Sequence, residues 1–489
     1  MKKHGFTNLN KLFKKTEAKP SIKQKILTLL LVGTAFTVNS QSIADSWNGK
    51  LQVGKSFLTI VLHINDAVAT EVSMDSPDQY AYGIKCESSQ FVNDTLFVSI
   101  KSLGVSITGF YDVEKDSIFT QFKQMGHKFP LVLGRGDVAK ERPVRKQDPL
   151  DFPYYVEDIY MPSVEGVTLA GTLTMPNSCT ADAKPSNKIV VLISGSGAQN
   201  RNEEIVDHRP FLVLSDFLTR NGISVIRYDD RGTAESTGNF ANSTTYDFSL
   251  DAEAVVNYIK NREELKDLSV GLIGHSEGGI IAPMVASRNS DVDFIVLLAG
   301  PGIPISELMV RQNIDVMMTT NMPKDIMDVK IKSVEDIYDV LKNNKLDKDK
   351  KLEKIISIQE KTYKKHPKGV VNKDDIKRMS QNDAEEYLST WVYYFANCNP
   401  QEYLSKITIP VLALHGAKDI QVRAKENLEG IEQTLKKAGN PNYTIVNFPD
   451  LNHLFQTCVS GNIEFYVKNK ETFNEEAMRA IVEWILEEY

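Results

Sequence analysis

The sequence predicts an α/β protein that carries a helical insertion and is preceded by a small antiparallel β domain. Three observations predict it. From about Tyr154 onward, nearly continuous apolar runs alternate with helix-like stretches, the pattern of a parallel sheet covered on both faces. Between Trp47 and Gly136, short runs of alternating polarity are broken by turn residues instead. Residues 302–405 then interrupt the α/β alternation with lysine- and methionine-rich helical pattern and no core-type strand.

A chain of 489 residues exceeds one compact core, and 42% hydrophobic with 25% charged residues is an ordinary globular composition. The first forty residues differ. Eight lysines and one glutamate precede the apolar run Ile26–Val38, ILTLLLVGTAFTV. A basic segment before an apolar run too short to span a bilayer reads as an export signal. Val38 and Ser40 suit the −3 and −1 positions of a cleavage site, so residues 1–40 are expected to be removed and the mature chain to start at Gln41 in the periplasm or outside the cell. No run reaches the length of a membrane span. Losing those forty residues takes the net charge from −7 to about −14, which disfavours nucleic acid as a partner. Cys86, Cys179, Cys398 and Cys458 lie far apart without CxxC spacing, so no zinc site is indicated and their pairing stays open.

In chain order, SFLTIVLHI, DTLFVSIK, VSITGFYD and DSIFTQF read as strands, with SPDQ, VNDT and EKDS as turns. They outline a barrel or sandwich over residues 45–143. The charged, proline-containing RGDVAKERPVRKQDPLDFP suits a linker. The larger domain, residues 151–489, opens with a strand pair, VEDIYMP and GVTLAGTLTMP. KIVVLIS, ISVIRYDD, SVGLIGH, DFIVLLAG and IPVLALHG follow as core strands, with helices such as FSLDAEAVVNYIKNREEL and EEAMRAIVEWILEEY among them. The insertion at 302–405 must largely fold on its own, and its position favours a helical cap acting as a lid.

Chemistry concentrates in VGLIGHSEGGI. Gly274-His275-Ser276-Glu277-Gly278 fits G-x-S-x-G between an apolar strand and a helix start, the setting of a nucleophile elbow. There a serine takes strained backbone angles, neighbouring positions are too crowded for a Cβ, and the helix N-terminus favours an oxyanion. A serine needs a base. Of eight histidines, His4 falls in the signal, His63 and His127 in the β domain and His366 in the cap. His208 precedes the elbow, His275 should face away from Ser276, and His415 should pack in the core. His453, in FPDLNHLF after the last strand-like run, remains as the base. Asp419, in VLALHGAKDIQV, is the expected carboxylate partner, with Asp450 as competitor. Of the two oxyanion N–H donors, one should belong to Glu277. The other should come from the loop KIVVLISGSGAQNRNEE at Ser196, with Gly197 as alternative. That glycine-rich loop lacks the lysine of a P-loop and the spacing of GxGxxG, so it does not read as a phosphate cradle.

LISGSGAQNRNEE, HRPFLVLSDFLTRNGISVIRYDDRGTAEST, GLIGHSEGG, IPVLALHGAKDIQV and DLNHLFQ occur in the order of the α/β-hydrolase superfamily, which the chain resembles from about residue 154 to its end. More narrowly they resemble bacterial secreted serine esterases whose oxyanion loop reads GSG. The turn Asp229–Ser236, DDRGTAES, departs from the family's D-x-R-G-x-G-x-S by carrying Ala234 in place of the second glycine; a change of loop shape is expected there, with the aspartates and Arg231 bracing it. The β domain resembles the accessory domain seen ahead of such hydrolases in Bacteroidetes-type proteins. The resemblance implies hydrolysis of a small-molecule carboxylic ester through an acyl-enzyme, with neither metal nor organic cofactor. A base that must be neutral loses activity below a pKa of roughly 6 to 7.

Two other readings use the same residues differently. A serine peptidase would need an anchor for a substrate amine, for which Glu203-Glu204 is a candidate. A non-enzymatic carbohydrate- or lipid-binding protein would work through the β domain, against which the complete Ser-Asp-His set argues. Met309, Met317, Met318 and WVYYF (391–395) suit either an apolar pocket lining or the core of the cap.

Overall fold

The computed structural model describes residues 42–53, 56–79, 81–100, 103–124, 127–138, 145–177, 184–320, 322–366 and 373–487. The expected export signal, its cleavage point and Cys179 lie outside the described residues. The chain divides into two compact units between Lys140 and Glu141.

The first unit is one antiparallel sheet. Its strands are β1 (Asp45–Val53), β2 (Ser56–Ile64), β3 (Val72–Ser76), β4 (Ala81–Lys85) and β5 (Ser88–Val92). They continue with β6 (Thr95–Ile100), β7 (Val105–Asp112), β8 (Ser117–Gln124) and β9 (His127–Arg135). The order is β4-β3-β2-β1-β9-β8-β7-β6-β5. Alternation is strict where it matters: β7 and β8 bury every second residue. Trp47, Leu62, Leu96, Ile107, Ile118 and Leu133, from six strands, meet in one core. A sheet with one apolar face closes that face by curling, so the expected barrel or sandwich is a half-barrel about a single core.

The second unit holds an eight-stranded sheet. Its first half is β10 (Tyr155–Pro162), β11 (Thr168–Met175), β12 (Lys188–Ile193) and β13 (Ser224–Tyr228). β14 (Ser269–His275), β15 (Val292–Leu298), β16 (Val411–Gly416) and β17 (Tyr443–Phe448) complete it. The order is β10-β11-β13-β12-β14-β15-β16-β17, antiparallel through β13 and parallel from there on. Helices α1 (Pro210–Arg220), α2 (Thr245–Asn261) and α3 (Gly278–Ala286) connect strands within the first part of the sheet. Period-2 alternation feeds two cores. Val191 and Leu272 face α2 and α3, while Leu192 and Ile273 face α1 and the last helix of the chain. After β12 the chain turns to one side into β13, then returns to β14 on the other side. The loops after β12 and β14 therefore part at a switch point, where such sheets open a crevice.

Between β15 and β16 lie α4 (Ile305–Met318), α5 (Lys324–Leu341), α6 (Lys348–Lys364), α7 (Lys373–Tyr387), α8 (Thr390–Ala396) and α9 (Gln401–Leu404). Ile337, Leu341, Ile355, Ala384 and Ala396 give these helices a core of their own. Lys351 is buried within it, its Nζ donating to the Leu341 carbonyl at 2.5 Å and to Tyr393 Oη at 2.9 Å. Leu308 and Phe395 form a second cluster with Ile280 and Met284 of α3. Met317 packs at the edge of the first core and Met318 is exposed, whereas Met309 lines a cavity that Ser276 and His453 also line. After β16, α10 (Ala424–Ala438), α11 (Glu464–Lys468) and α12 (Glu475–Glu487) complete the unit.

One local expectation changes. The second half of the expected linker is docked. Arg145 donates to the carbonyls of Val206, Val467 and Asn469, and Gln147 Oε1 accepts the Thr472 N–H at 2.5 Å. Its charge and proline content suggested solvent, yet those side chains satisfy backbone groups of other loops. Ala234 sits at φ +47°, in the left-handed region that glycine enters without strain. Replacing Ala234 with Gly is expected to raise unfolding free energy by about 0.5–1 kcal/mol in urea denaturation, strain relief outweighing the added unfolded-state entropy.

Candidate functional site

The site is built where β14 stops. Ser276 follows the strand at φ +54°, and its N–H donates to the Leu298 carbonyl at 2.9 Å. Backbone packs against backbone on both sides. A Cβ on Gly274 would lie 2.0 Å from the Gly278 carbonyl oxygen, and one on Gly278 would lie 2.2 Å from that of Ile193. Only glycine fits either position, which is why the motif reads as it does.

His453 lies in the loop after β17, and its Nδ1–H donates to Asp419 Oδ2 at 2.7 Å. Asp419, in the loop after β16, is held in turn by the N–H groups of Gln421 and Val422 on Oδ1, at 2.7 and 2.9 Å. Both residues are buried, at 4% relative exposure each. With Nδ1 committed to the carboxylate, Nε2 is left as an acceptor. Asp450 is exposed, and its carbonyl accepts from the Cys458 N–H. His415 is buried under Gly300, to whose carbonyl its Nε2–H donates at 3.0 Å, and burial pushes its imidazole down to about 4.

On the other side stands the loop after β12. Ser196 shares a cavity of about 440 Å³ with Ser276 and His453, whereas Gly197 lines a separate recess beside Asp230. Of the two alternatives for a second N–H donor, Ser196 is the one that lines the cavity with the serine. Asp230 accepts from Ser194 Oγ and the Gln199 N–H, both at 2.9 Å. Asp229 accepts from the Arg201 backbone N–H and twice from its guanidinium. Arg231 closes on Asp251. The bracing role expected of this turn is carried by these bonds.

Sequence reasoning missed two features. His275 was expected to face away; instead its ring centre lies 4.8 Å from that of His453 and it lines the same cavity. Strand parity alone turns it aside, but the strand ends there and the ring is drawn over by Glu203, to whose Oε1 its Nδ1 bonds at 2.7 Å. The other feature joins the elbow to the insertion. Glu277 Oε1 accepts from Thr245 Oγ1 at 2.7 Å and from Trp391 Nε1 of α8 at 2.9 Å. Trp391 stacks on Phe395 at 4.9 Å, and both rings line the main cavity with Leu308, Met309, Val422 and Tyr466. An acidic residue in an elbow motif was the available signal. Among the described residues no cluster of three His, Cys, Asp or Glu side chains is arranged to hold a metal ion, and no helix is long and apolar enough to cross a membrane. Cys86, Cys398 and Cys458 are unpaired thiols.

Burial pushes the Glu277 carboxyl up, against hydrogen bonds from Thr245, Trp391 and Ser196 that lower it. The folded protein therefore keeps a proton that the unfolded chain releases near pH 4.5, and stability falls as pH rises through that window. Glu277→Gln lacks this loss. Its unfolding free energy relative to wild type is expected to climb as pH is raised from 4.5 and then level off, measured by urea denaturation across pH.

Comparison with known proteins agrees with this architecture. The family model described as serine aminopeptidase, S33, matches residues 207–367, and that of the dienelactone hydrolase family matches residues 379–488. Esterase EstD of Thermotoga maritima is 26% identical over 301 residues, 61% of this chain, and the match spans 61% of that protein's own length. Among solved structures, the Pyrococcus furiosus esterase Pf2001 is 18% identical with a TM-score of 0.44, covering 72% of this chain and 98% of that one. Proline iminopeptidase of Mycobacterium smegmatis is 14% identical with a TM-score of 0.41, covering 67% and 97%. Two hydrolase families matched on successive stretches, and a sheet that turns at β12 and β14 around a strained serine, make the second unit similar to proteins of the α/β-hydrolase superfamily.

Proposed function

We propose that the protein is a serine carboxylesterase. The observation that carries this reading is the convergence on one cavity of Ser276, at a strained strand end, and His453, whose tautomer Asp419 sets. His453 Nε2 takes the serine proton as Ser276 Oγ attacks the ester carbonyl. The N–H groups of Glu277 and Ser196 receive the oxyanion, and His453 returns the proton to the departing alcohol. Water then releases the acyl group by the same route. Every group required belongs to the chain.

The inserted helices serve as a lid in this reading, since α4 and α8 supply Leu308, Met309, Trp391 and Phe395 to the cavity wall. An apolar wall and a volume of about 440 Å³ suit a small to medium ester. Export through residues 1–40 belongs to the proposal as well. The aminopeptidase model that matches residues 207–367 keeps a peptidase reading in view. Against it, Glu203 already accepts from Gly195 and His275, and Glu204 from Asn200, which leaves the candidate amine anchor occupied.

A p-nitrophenyl ester series run beside aminoacyl and prolyl p-nitroanilides tests the reading. Ser276→Ala is expected to lower ester turnover by at least about 10³-fold. Asp419→Asn should lower kcat by roughly 10²- to 10⁴-fold with KM little changed, because an amide no longer fixes the imidazole tautomer. Anilide cleavage outrunning the esters would make this a peptidase.

A further inference from the structure

Outside the residues assigned to the reaction, one buried carboxylate and the histidine it bonds together reach all three loops that form the site. Glu203 is 1% exposed and sits at φ +51° in the loop after β12. Its Oε1 accepts the Gly195 N–H at 2.8 Å and bonds His275 Nδ1 at 2.7 Å. The far nitrogen of the same ring, Nε2–H, donates to the His453 carbonyl at 2.9 Å. Gly195 adjoins Ser196, His275 adjoins Ser276, and the last bond lands on the backbone of the base itself. We propose that Glu203 and His275 are a pair of positioning residues that hold the oxyanion loop, the elbow and the catalytic base in register. The proposal rests on the serine-esterase reading of Ser276 and His453.

Proton count makes the carboxylate specific. His275 meets acceptors at both ring nitrogens, so the pair needs the Nε2 proton and one more between Nδ1 and Oε1. A glutamine at 203 cannot serve all three bonds. With its amide oxygen toward Gly195 and His275, the ring spends its single proton at Nδ1 and loses His453. With its NH₂ turned there, the Gly195 N–H faces a donor instead. The charged groups facing His275 are Glu203 from the oxyanion loop and His453, with Asp419 behind it, from the base side. Burial works against a charged ring, yet the charge and hydrogen bond of Glu203, with the His453 carbonyl, hold the His275 imidazole above its ordinary range. Losing that proton at high pH breaks the tie to Glu203.

The test is the pH profile of kcat and KM for wild type, Glu203→Gln and Glu203→Asp on one p-nitrophenyl ester. Folding is checked by thermal melts, and competent sites are counted by fluorophosphonate labelling of Ser276. Glu203→Gln is expected to lose roughly 10- to 100-fold in kcat with KM nearly unchanged, and to lose the alkaline limb of the wild-type profile. Glu203→Asp, which keeps the carboxylate, should retain that limb at an intermediate rate. Folded Glu203→Gln with wild-type kcat and an unmoved alkaline limb would overturn the positioning role alone. A uniform loss at every pH with the limb intact also overturns it, since that is what general loosening produces. If the glutamine variant does not fold, Glu203→Asp decides by the position of its alkaline limb: a limb displaced from that of wild type, as the shorter carboxylate requires, supports the role, and an unmoved limb overturns it whatever the rate. Wild type that neither labels at Ser276 nor turns over would sink the esterase reading and this role with it.

Discussion

Everything at the site depends on a serine held in a backbone conformation that serine dislikes. A left-handed φ at a non-glycine residue costs on the order of 1–2 kcal/mol, and it persists because the surroundings leave the chain nowhere else to go. Gly274 and Gly278 let two backbones touch, the Ser276 N–H is tied to the neighbouring strand at Leu298, and α3 starts immediately after. The strain is spread over a core strand buried along its length, so relaxing the turn would unpack the centre of the sheet.

Around that turn, buried acids act as fasteners for the segments that meet there. Asp229 and Asp230 fasten the loop after β12, Asp419 fastens His453, and Glu277 fastens the inserted helices through Trp391. Each carboxylate is satisfied by two or more donors, the condition under which burying one is tolerable. A loop rim of unrelated segments is thereby given the rigidity that a sheet obtains from its ladder.

How much of this was legible in the sequence follows from what each residue does. The parallel strands announced themselves because both faces are buried, leaving uninterrupted apolar runs such as KIVVLI. The elbow was legible because close backbone approach admits glycine only. Asp419 and His453 were found by strand-end position, which the topology enforces. β5 was not, since its exposed edge-strand sequence SSQFV shows little apolar alternation. The docked half of the linker escaped because Arg145 and Gln147 look solvated in composition and become structural only by reaching distant carbonyls and N–H groups. His275 escaped because alternation along a strand says nothing about a side chain at its last residue, where a partner 72 positions away decides.

Helix α8 ties three parts of the unit together. Trp391 and Phe395 line the cavity beside Ser276, Tyr393 anchors the buried Lys351, and Tyr394 and Asn397 border a second groove of about 610 Å³. Seven residues thus leave no side of the helix idle, and one of them is bonded to the elbow itself. A substitution in α8 would disturb the packing of the inserted helices and the residue after Ser276 together. Freedom to vary lies instead with α4, where Met309 and Gln312 reach the same cavity and, among the described residues, no hydrogen bond joins them to the turn at Ser276, so the cavity wall can change shape there at the least cost.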